Sequence, residues 1–134
     1  MGATFSSMAP VTLPLSTYTP EARGYVHAAQ TLADERGHRE VEPLHLLTVL
    51  VDRDELTRQA MAKAVLSATD VLVEAEHELR RRARGTGSSL LSQSMLDLLG
   101  RAEGEAARHG GRAVGVRDLL LALATEQYGG AREV

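Results

Sequence analysis

Apolar residues recur at helical spacing along most of the chain, in segments that short polar stretches separate. The first segment opens with Thr19, Pro20 and Glu21, a residue order typical of a helix start. Its apolar residues then fall at positions 22, 25, 26, 29, 32 and 33, which share one face of a helix. No segment alternates apolar and polar residues over the length of a strand. The pattern therefore predicts an all-α fold.

The same pattern predicts five more helices. The second, over residues 44–51, is apolar on nearly all sides and is expected to be buried. A short third helix is predicted over residues 54–64, and a fourth after Ser67, which resembles a capping residue. Ser92 is expected to cap the fifth helix, and residues 116–125 are expected to form the sixth.

Residues within the segments 19–55 and 91–127 match each other at a fixed offset of 73 positions, so that Thr19 corresponds to Ser92. The connector Gly37-x-Arg39-x-Val41 recurs as Gly110-x-Arg112-x-Val114 between matching apolar patterns. The other identical pairs are Ala29/Ala102, Ala33/Ala106, Leu46/Leu119, Leu47/Leu120 and Leu50/Leu123. Because chance would not keep the connector in register, we infer that one helical unit is duplicated. The duplication predicts two halves related by a pseudo-two-fold axis.

The repeat also predicts boundaries: a flexible leader over residues 1–18, a first repeat over 19–84, a linker over 85–90 and a second repeat over 91–134. Two more helices follow the first copy, but only a few residues follow the second. The second repeat is therefore expected to be incomplete, either cut from a longer protein or naturally shortened. The leader begins with a myristoylation pattern, but such patterns are frequent by chance, and we favour a flexible leader.

Composition narrows the possible functions. The 134 residues include no Cys, no Trp, one Phe and three Tyr, and carry a formal net charge of −3. Neither a stacking platform for single-stranded nucleic acid nor a general basic surface is therefore expected. The lack of Cys excludes disulfides and mildly favours a reducing compartment, so we expect a cytoplasmic protein. No apolar run is long enough to span a bilayer.

The run Glu42-Pro43-Leu44-His45-Leu46-Leu47, after Leu32-Ala33 and a polar connector, resembles the amino-terminal domain of Clp-type AAA+ unfoldases, the ClpB, ClpA and ClpC proteins. The resemblance covers about residues 18–127, and the first motif is nearest to the ClpB-like form. It implies a double Clp repeat that docks unfolded protein segments or an adaptor protein onto an ATPase ring. The sequence has no Gly-x-x-x-x-Gly-Lys-Ser/Thr loop to bind ATP. We therefore expect a monomeric binding domain with no enzyme activity and no cofactor.

The resemblance also implies where a partner would bind. Thr19 holds the place of a substrate-contacting Thr in ClpB-like domains, whereas two acidic positions of those domains fall on Gly111 and Arg117. The Glu residues that receive phosphoarginine in ClpC-like domains fall on Leu44 and Arg117, so that group would meet no carboxylate. The expected site is a shallow apolar groove near the repeat interface, with six candidate residues: Thr19, Val41, Leu44, Val114, Val116 and Arg117. Thr19 could also act only as a helix cap, and Arg117 only as a solvated charge.

Two other features suggest different chemistry. The run Arg80–Arg84 could bind DNA or a small molecule, as in a stand-alone helical regulatory protein. We favour the interpretation that these arginines form only the last turn of a helix, where cations complement the negative end of the helix dipole. Three Glu residues that precede the run also offset its charge. The five His residues are dispersed, with no pair four positions apart to hold a metal. His45 lies in the buried segment and is expected to be a hydrogen-bonded core residue.

Overall fold

A computed structural model of the chain describes residues 15–110 and 113–125. Six α-helices form most of it: α1 (Pro20–Arg36), α2 (Pro43–Arg53), α3 (Glu55–Lys63), α4 (Ala68–Leu79), α5 (Gln93–Arg108) and α6 (Val116–Ala124). A 3₁₀ turn at Leu15–Thr17 precedes α1, and two short strands, β1 (Glu40–Val41) and β2 (Leu90–Leu91), pair in parallel. The predicted all-α fold is confirmed. The strands escaped prediction because two residues are too few to show a period-two pattern.

Side chains at the predicted positions begin the helices. The hydroxyl of Thr19 accepts a hydrogen bond from the amide of Ala22 at 3.1 Å, and Ser67 and Ser92 cap α4 and α5 in the same way. Each cap satisfies one of the N–H groups that a helix start leaves without a partner. Gly37 ends α1 at a φ of 69°, a left-handed conformation that Gly adopts without strain.

The two repeats share one core. Val26 of α1 and Leu99 of α5, which are equivalent under the repeat, are each 2% exposed and lie in the same apolar cluster. That cluster also includes residues of α2 and α6, among them Leu46, Val49, Leu50, Leu119, Ala122 and Leu123. Each of these four helices buries one face in this common core, which explains why the apolar patterns of the two halves match.

Reciprocal backbone bonds join the two halves where each repeat begins. The amide of Ser92 donates to the carbonyl of Val41 at 3.0 Å, and the amide of Thr19 donates to the carbonyl of Val114 at 2.8 Å. The two hydrogen bonds join equivalent positions of the repeats, because Thr19 corresponds to Ser92 and Val41 to Val114. The helix start of each repeat is therefore held by the connector of the other, as a pseudo-two-fold relation requires.

Two segments that we expected to be flexible contain residues that pack into the fold. In the leader, Leu15 and Tyr18 are buried in the core, and Tyr18 donates a hydrogen bond to Glu103 at 2.9 Å. In the linker, Ser89 is buried, and its hydroxyl donates to the carbonyl of His38 at 2.6 Å. The packed domain therefore includes Leu15, and the end of the linker is held by the first repeat.

Three predictions concern residues outside the described ranges. The myristoylation pattern lies within residues 1–14, the second connector includes Gly111 and Arg112, and the expected incompleteness of the second repeat concerns residues 126–134. These statements stay predictions.

A smaller apolar cluster lies beside the shared core, where α4 packs on α2. Leu44 of α2 is fully buried against Ala75 and Leu79 of α4. The guanidinium of Arg36 forms two hydrogen bonds to the carboxylate of Glu76, at 2.6 and 2.8 Å. The helix α4 is thus held on the first repeat by apolar packing and by an ion pair to α1.

Candidate functional site

Three of the six candidate residues meet at one groove. Thr19, Val116 and Arg117 line a surface groove of about 540 Å³ between the start of α1, the start of α6 and the end of α5. Arg117 is exposed, Thr19 is half-buried and Val116 is 8% exposed. Because α1 belongs to the first repeat and α5 and α6 to the second, the groove lies where the two repeats meet.

The other three candidates lie inside the molecule. Val41 and Leu44 are fully buried, and Val114 is 3% exposed. Leu44 packs under α4, whereas Val41 and Val114 belong to the core between the repeats. Their side chains are therefore not accessible to a partner, which corrects their assignment to the groove. Apolar residues next to a buried helix are usually packing residues, and the linear pattern does not separate that role from binding.

A short parallel bridge brings Thr19 to the second repeat. The amide of Val114 donates to the carbonyl of Thr17 at 2.8 Å, and the amide of Thr19 donates back to the carbonyl of Val114, also at 2.8 Å. Gly115 follows, and a Cβ atom there would lie 3.8 Å from the methyl group of Thr19. The start of α1 thus contacts the start of α6, and both helix starts border the groove.

Seven other residues of the described part of the chain line the groove and were not predicted from the sequence: Glu21, Leu56, Ala106, His109, Ala113, Gly115 and Asp118. Leu56 belongs to α3 and is 46% exposed, and no pattern in the sequence places α3 beside the second repeat. Asp118 could have been found through the repeat, because it corresponds to His45. Each of these two side chains accepts the backbone amide three residues before it, at 2.9 Å.

The groove carries charges of both signs. Glu21 and Asp118 supply carboxylates, and Arg117 supplies a guanidinium. Since the two acidic positions of the resemblance hold Gly111 and Arg117, the carboxylates of this groove come from other places in the chain. Apolar side chains complete the lining, and among its described residues there is no Ser, Cys or Lys.

The described part of the chain gives little support for a metal site, a membrane-spanning helix or a strongly basic surface. There, no three His, Cys, Asp or Glu side chains are grouped so that they could hold a metal ion. None of the described helices is long and apolar enough to cross a membrane. Much of the arginine run is paired with acidic side chains, which lowers its net positive charge; the closest pairs are Arg82–Glu42 at 3.0 Å, Arg80–Glu76 at 3.6 Å and Arg81–Glu78 at 3.6 Å.

The fold and the groove define a helical double-repeat domain. The chain belongs to the Clp repeat (R) N-terminal domain family, whose profile matches residues 17–134. The chaperone protein ClpB of Mesorhizobium japonicum is 34% identical over 117 residues, which cover 84% of this chain. The chain spans about 14% of the length of that relative.

Solved structures share the fold. The N-terminal domain of Hsp104 from Candida albicans matches with a TM-score of 0.77 at 18% identity, covering 87% of this chain and 77% of that one. A ClpV N-domain in complex with a VipB peptide matches with a TM-score of 0.70 at 23% identity, covering 91% of this chain and 78% of that one. At these identities the likeness concerns the fold alone.

Proposed function

We propose that this chain is a docking domain that binds unfolded protein segments or an adaptor protein for a Clp-type ATP-dependent unfoldase. The observation that carries the proposal is the groove that joins Thr19, Val116 and Arg117 across the two repeats. The ClpV N-domain supports it, because that structure holds a peptide on a domain of this fold. Disaggregation or regulated proteolysis would be the work of an ATPase ring, and this chain would supply no catalytic step.

The groove would bind a few apolar side chains weakly. Val116 and Ala106 supply apolar surface, and Leu56 adds a side chain that is 46% exposed. Burial of each partner side chain contributes about 1.5–3 kcal/mol before ordering costs are subtracted, so micromolar or weaker affinity is expected. Glu21 would repel acidic side chains of a partner, and Arg117 would repel basic ones. Weak and tolerant binding suits a domain that must release many different segments.

A stand-alone regulatory protein that binds DNA or a small molecule through Arg80–Arg84 is the second hypothesis. Its support is the run of cations itself. Ion pairs to Glu42, Glu76 and Glu78 offset that charge, so we favour the groove. We further infer that the domain acts in the cytoplasm as a monomer, without a metal or a nucleotide.

A titration with an unfolded protein tests the proposal. The isotope-labelled chain is titrated with a peptide from β-casein, and the backbone amide shifts are followed by NMR. We expect saturable shifts around Thr19, Leu56 and Val116. Leu56→Asp should weaken binding at least about tenfold, because it replaces apolar contact with a charge. Leu66→Asp is the matched control, since Leu66 is 54% exposed and does not line the groove.

The same experiment separates the two hypotheses. Shifts centred on Arg80–Arg84, or saturable binding of a DNA duplex at that run, would favour the regulatory protein. If no shift saturates at peptide concentrations up to about 1 mM, the groove does not bind with the affinity expected of a docking site.

A further inference from the structure

The connector between α1 and α2 lies against residues 83–92, which we call the latch segment and which lie between α4 and α5. Carbonyl groups of the connector accept the amide of Leu90 at 3.1 Å and the hydroxyl of Ser89 at 2.6 Å. The amide of Arg39 in the connector donates to the carbonyl of Ala83 at 3.1 Å. The latch segment is therefore bound to the backbone of the connector in both directions.

The ends and the middle of the latch segment are held by different elements. Near its start, the amide of Gly85 donates to the carbonyl of Gly37 at 3.0 Å, and Arg84 forms an antiparallel bridge with His38. At its end, β2 pairs with β1. In the middle, the backbone of Ser89 bonds to side chains of α1. The position of the connector thus determines the position of both ends of the segment.

The side chain of His38, in the same connector, contacts the ring of His45. His38 is 5% exposed and His45 is fully buried, and a nitrogen atom of one ring lies 2.9 Å from a nitrogen atom of the other. This contact is a hydrogen bond only while one of the two nitrogen atoms offers a lone pair, because a protonated imidazole carries a hydrogen on both nitrogens. Protonation of both rings therefore changes the contact from attractive to repulsive.

Charged groups from several elements surround this pair of rings. They are Arg36 of α1, Arg39 and Glu40 of the connector, Glu42 before α2, Glu76 of α4, and Arg82 and Arg84 after α4. Glu76 pairs with Arg36 at 2.6 Å and Glu42 with Arg82 at 3.0 Å, whereas Glu40 is exposed. The closest carboxylates thus already have guanidinium partners. Burial and the nearby arginines lower the pKa of both rings.

We propose that the pair of His38 and His45 is an acid-sensitive latch, which releases the latch segment from the connector when both rings are protonated, while the shared core stays folded. Two charged rings need water, and water reaches them when the connector and the segment separate. The apolar side chains of the shared core do not titrate and keep their packing. Because the latch segment joins the two repeats, its release loosens their connection on this side of the molecule. The inference goes beyond the docking function and does not depend on it.

Amide hydrogen exchange of the intact chain, followed by NMR between pH 7 and pH 4, tests the latch. The reporter amides are those of Arg39, Gly85 and Leu90, which form bonds between the connector and the latch segment. The reference amides are those of Val26 and Leu99 in the shared core. We expect the protection factors of the reporter amides to fall about tenfold per pH unit for each additional proton that the open form binds. At pH 5 they should be at least about tenfold below those of the reference amides.

Low concentrations of urea separate release of the segment from unfolding of the whole chain. Below the unfolding transition, exchange of the reporter amides should not depend on urea, because release of the segment exposes little surface. Exchange of the reference amides should accelerate with urea, because it requires unfolding of the core.

Variants of the chain test the role of the rings. His45→Asn should make the loss of reporter protection at pH 4 at least about tenfold smaller, because one titrating ring is gone. His77→Asn is the matched control, since His77 is exposed on α4, and should leave the loss unchanged. Arg84→Gln removes a cation near the pair and should shift the release to lower pH. Because Arg84 is exposed, this variant also serves if His45→Asn does not fold.

Three results would overturn the inference. In the first, the reporter amides keep their protection down to pH 4. In the second, reporter and reference amides lose protection together and with the same dependence on urea, so that the pair acts only on global stability. In the third, His45→Asn and Arg84→Gln both show the pH dependence of the parent chain.

Discussion

The imidazole rings of His38 and His45 form a buried pair in which Nδ1 of His38 lies 2.9 Å from Nε2 of His45. Nδ1 of His45 accepts the amide of Glu42 at 2.9 Å, so the proton of the neutral His45 ring lies on Nε2 and is donated to His38. The pair joins the connector before α2 to the first turn of that helix. His45 is the hydrogen-bonded core residue that its place in the sequence predicts, whereas its partner His38 was not foreseen.

Acid should destabilise the fold through this pair. Burial, with His38 and two nearby arginines, lowers the pKa of His45 from 6.5 to about 4, and burial lowers the pKa of His38 as well. Between pH 6.5 and about pH 4 the unfolded chain binds more protons than the folded chain, so the free energy of unfolding falls as the pH falls through this window. For His45 the loss is on the order of 3 kcal/mol by about pH 4.

Urea unfolding at a series of pH values measures this effect. His45→Asn keeps an acceptor for the amide of Glu42, as Asp118 does for Gly115, but removes the titrating ring. We expect the variant to be less stable than the parent chain near pH 7 and to lose less stability on acidification. Parallel pH profiles for the two proteins would contradict the assignment.

The two equivalent helix caps should contribute alike to stability but differently to binding. Thr19→Ala and Ser92→Ala each remove an acceptor at a helix start, and each should lower the free energy of unfolding by about 1 kcal/mol. Of the two, only Thr19 lines the groove, so only Thr19→Ala should also weaken the β-casein peptide. Urea unfolding and the NMR titration measure the two effects. Equal losses of peptide affinity in both variants would mean that Thr19 acts only as a cap.

The packing of α4 should depend strongly on Leu79. This side chain is fully buried against Leu44, so Leu79→Ala should cost about 2–5 kcal/mol of unfolding free energy. Leu121→Ala, on the exposed face of α6, should change it by no more than about 0.5 kcal/mol. Urea unfolding compares the two directly. A loss of several kcal/mol at Leu121 would show that its side chain is already covered in the free chain.

Arginine phosphorylation should not increase the affinity of a peptide. Leu44 is fully buried and Arg117 presents a cation, so neither position of the resemblance offers a carboxylate to a guanidinium. The carboxylates of Glu21 and Asp118 would repel the added phosphate, whereas the guanidinium of Arg117 would attract it, so these two effects oppose each other. We expect dissociation constants within about twofold for one peptide with and without the modification, measured by NMR titration. A tenfold preference for the phosphorylated form would mean that other residues receive it.

The sequence by itself determined the helical class, the duplication and several helix starts. These features depend on local patterns: the three-four spacing of apolar residues, a Ser or Thr before a helix, and a connector repeated at one offset. Thr19 and Ser92 cap their helices because an N-cap needs only a side-chain oxygen close in sequence to the free amides. Family membership followed from the same local motifs.

Only the tertiary structure decided which candidate residues reach the surface. Leu44 is covered by α4 and Val41 by the shared core, whereas Leu56 borders the groove because α3 lies against the second repeat. The small sheet and the pairing of His38 with His45 likewise depend on segments that meet only in the folded chain. Such contacts follow from the packing of whole helices, which sets the distance between residues far apart in sequence, and no local pattern encodes that geometry.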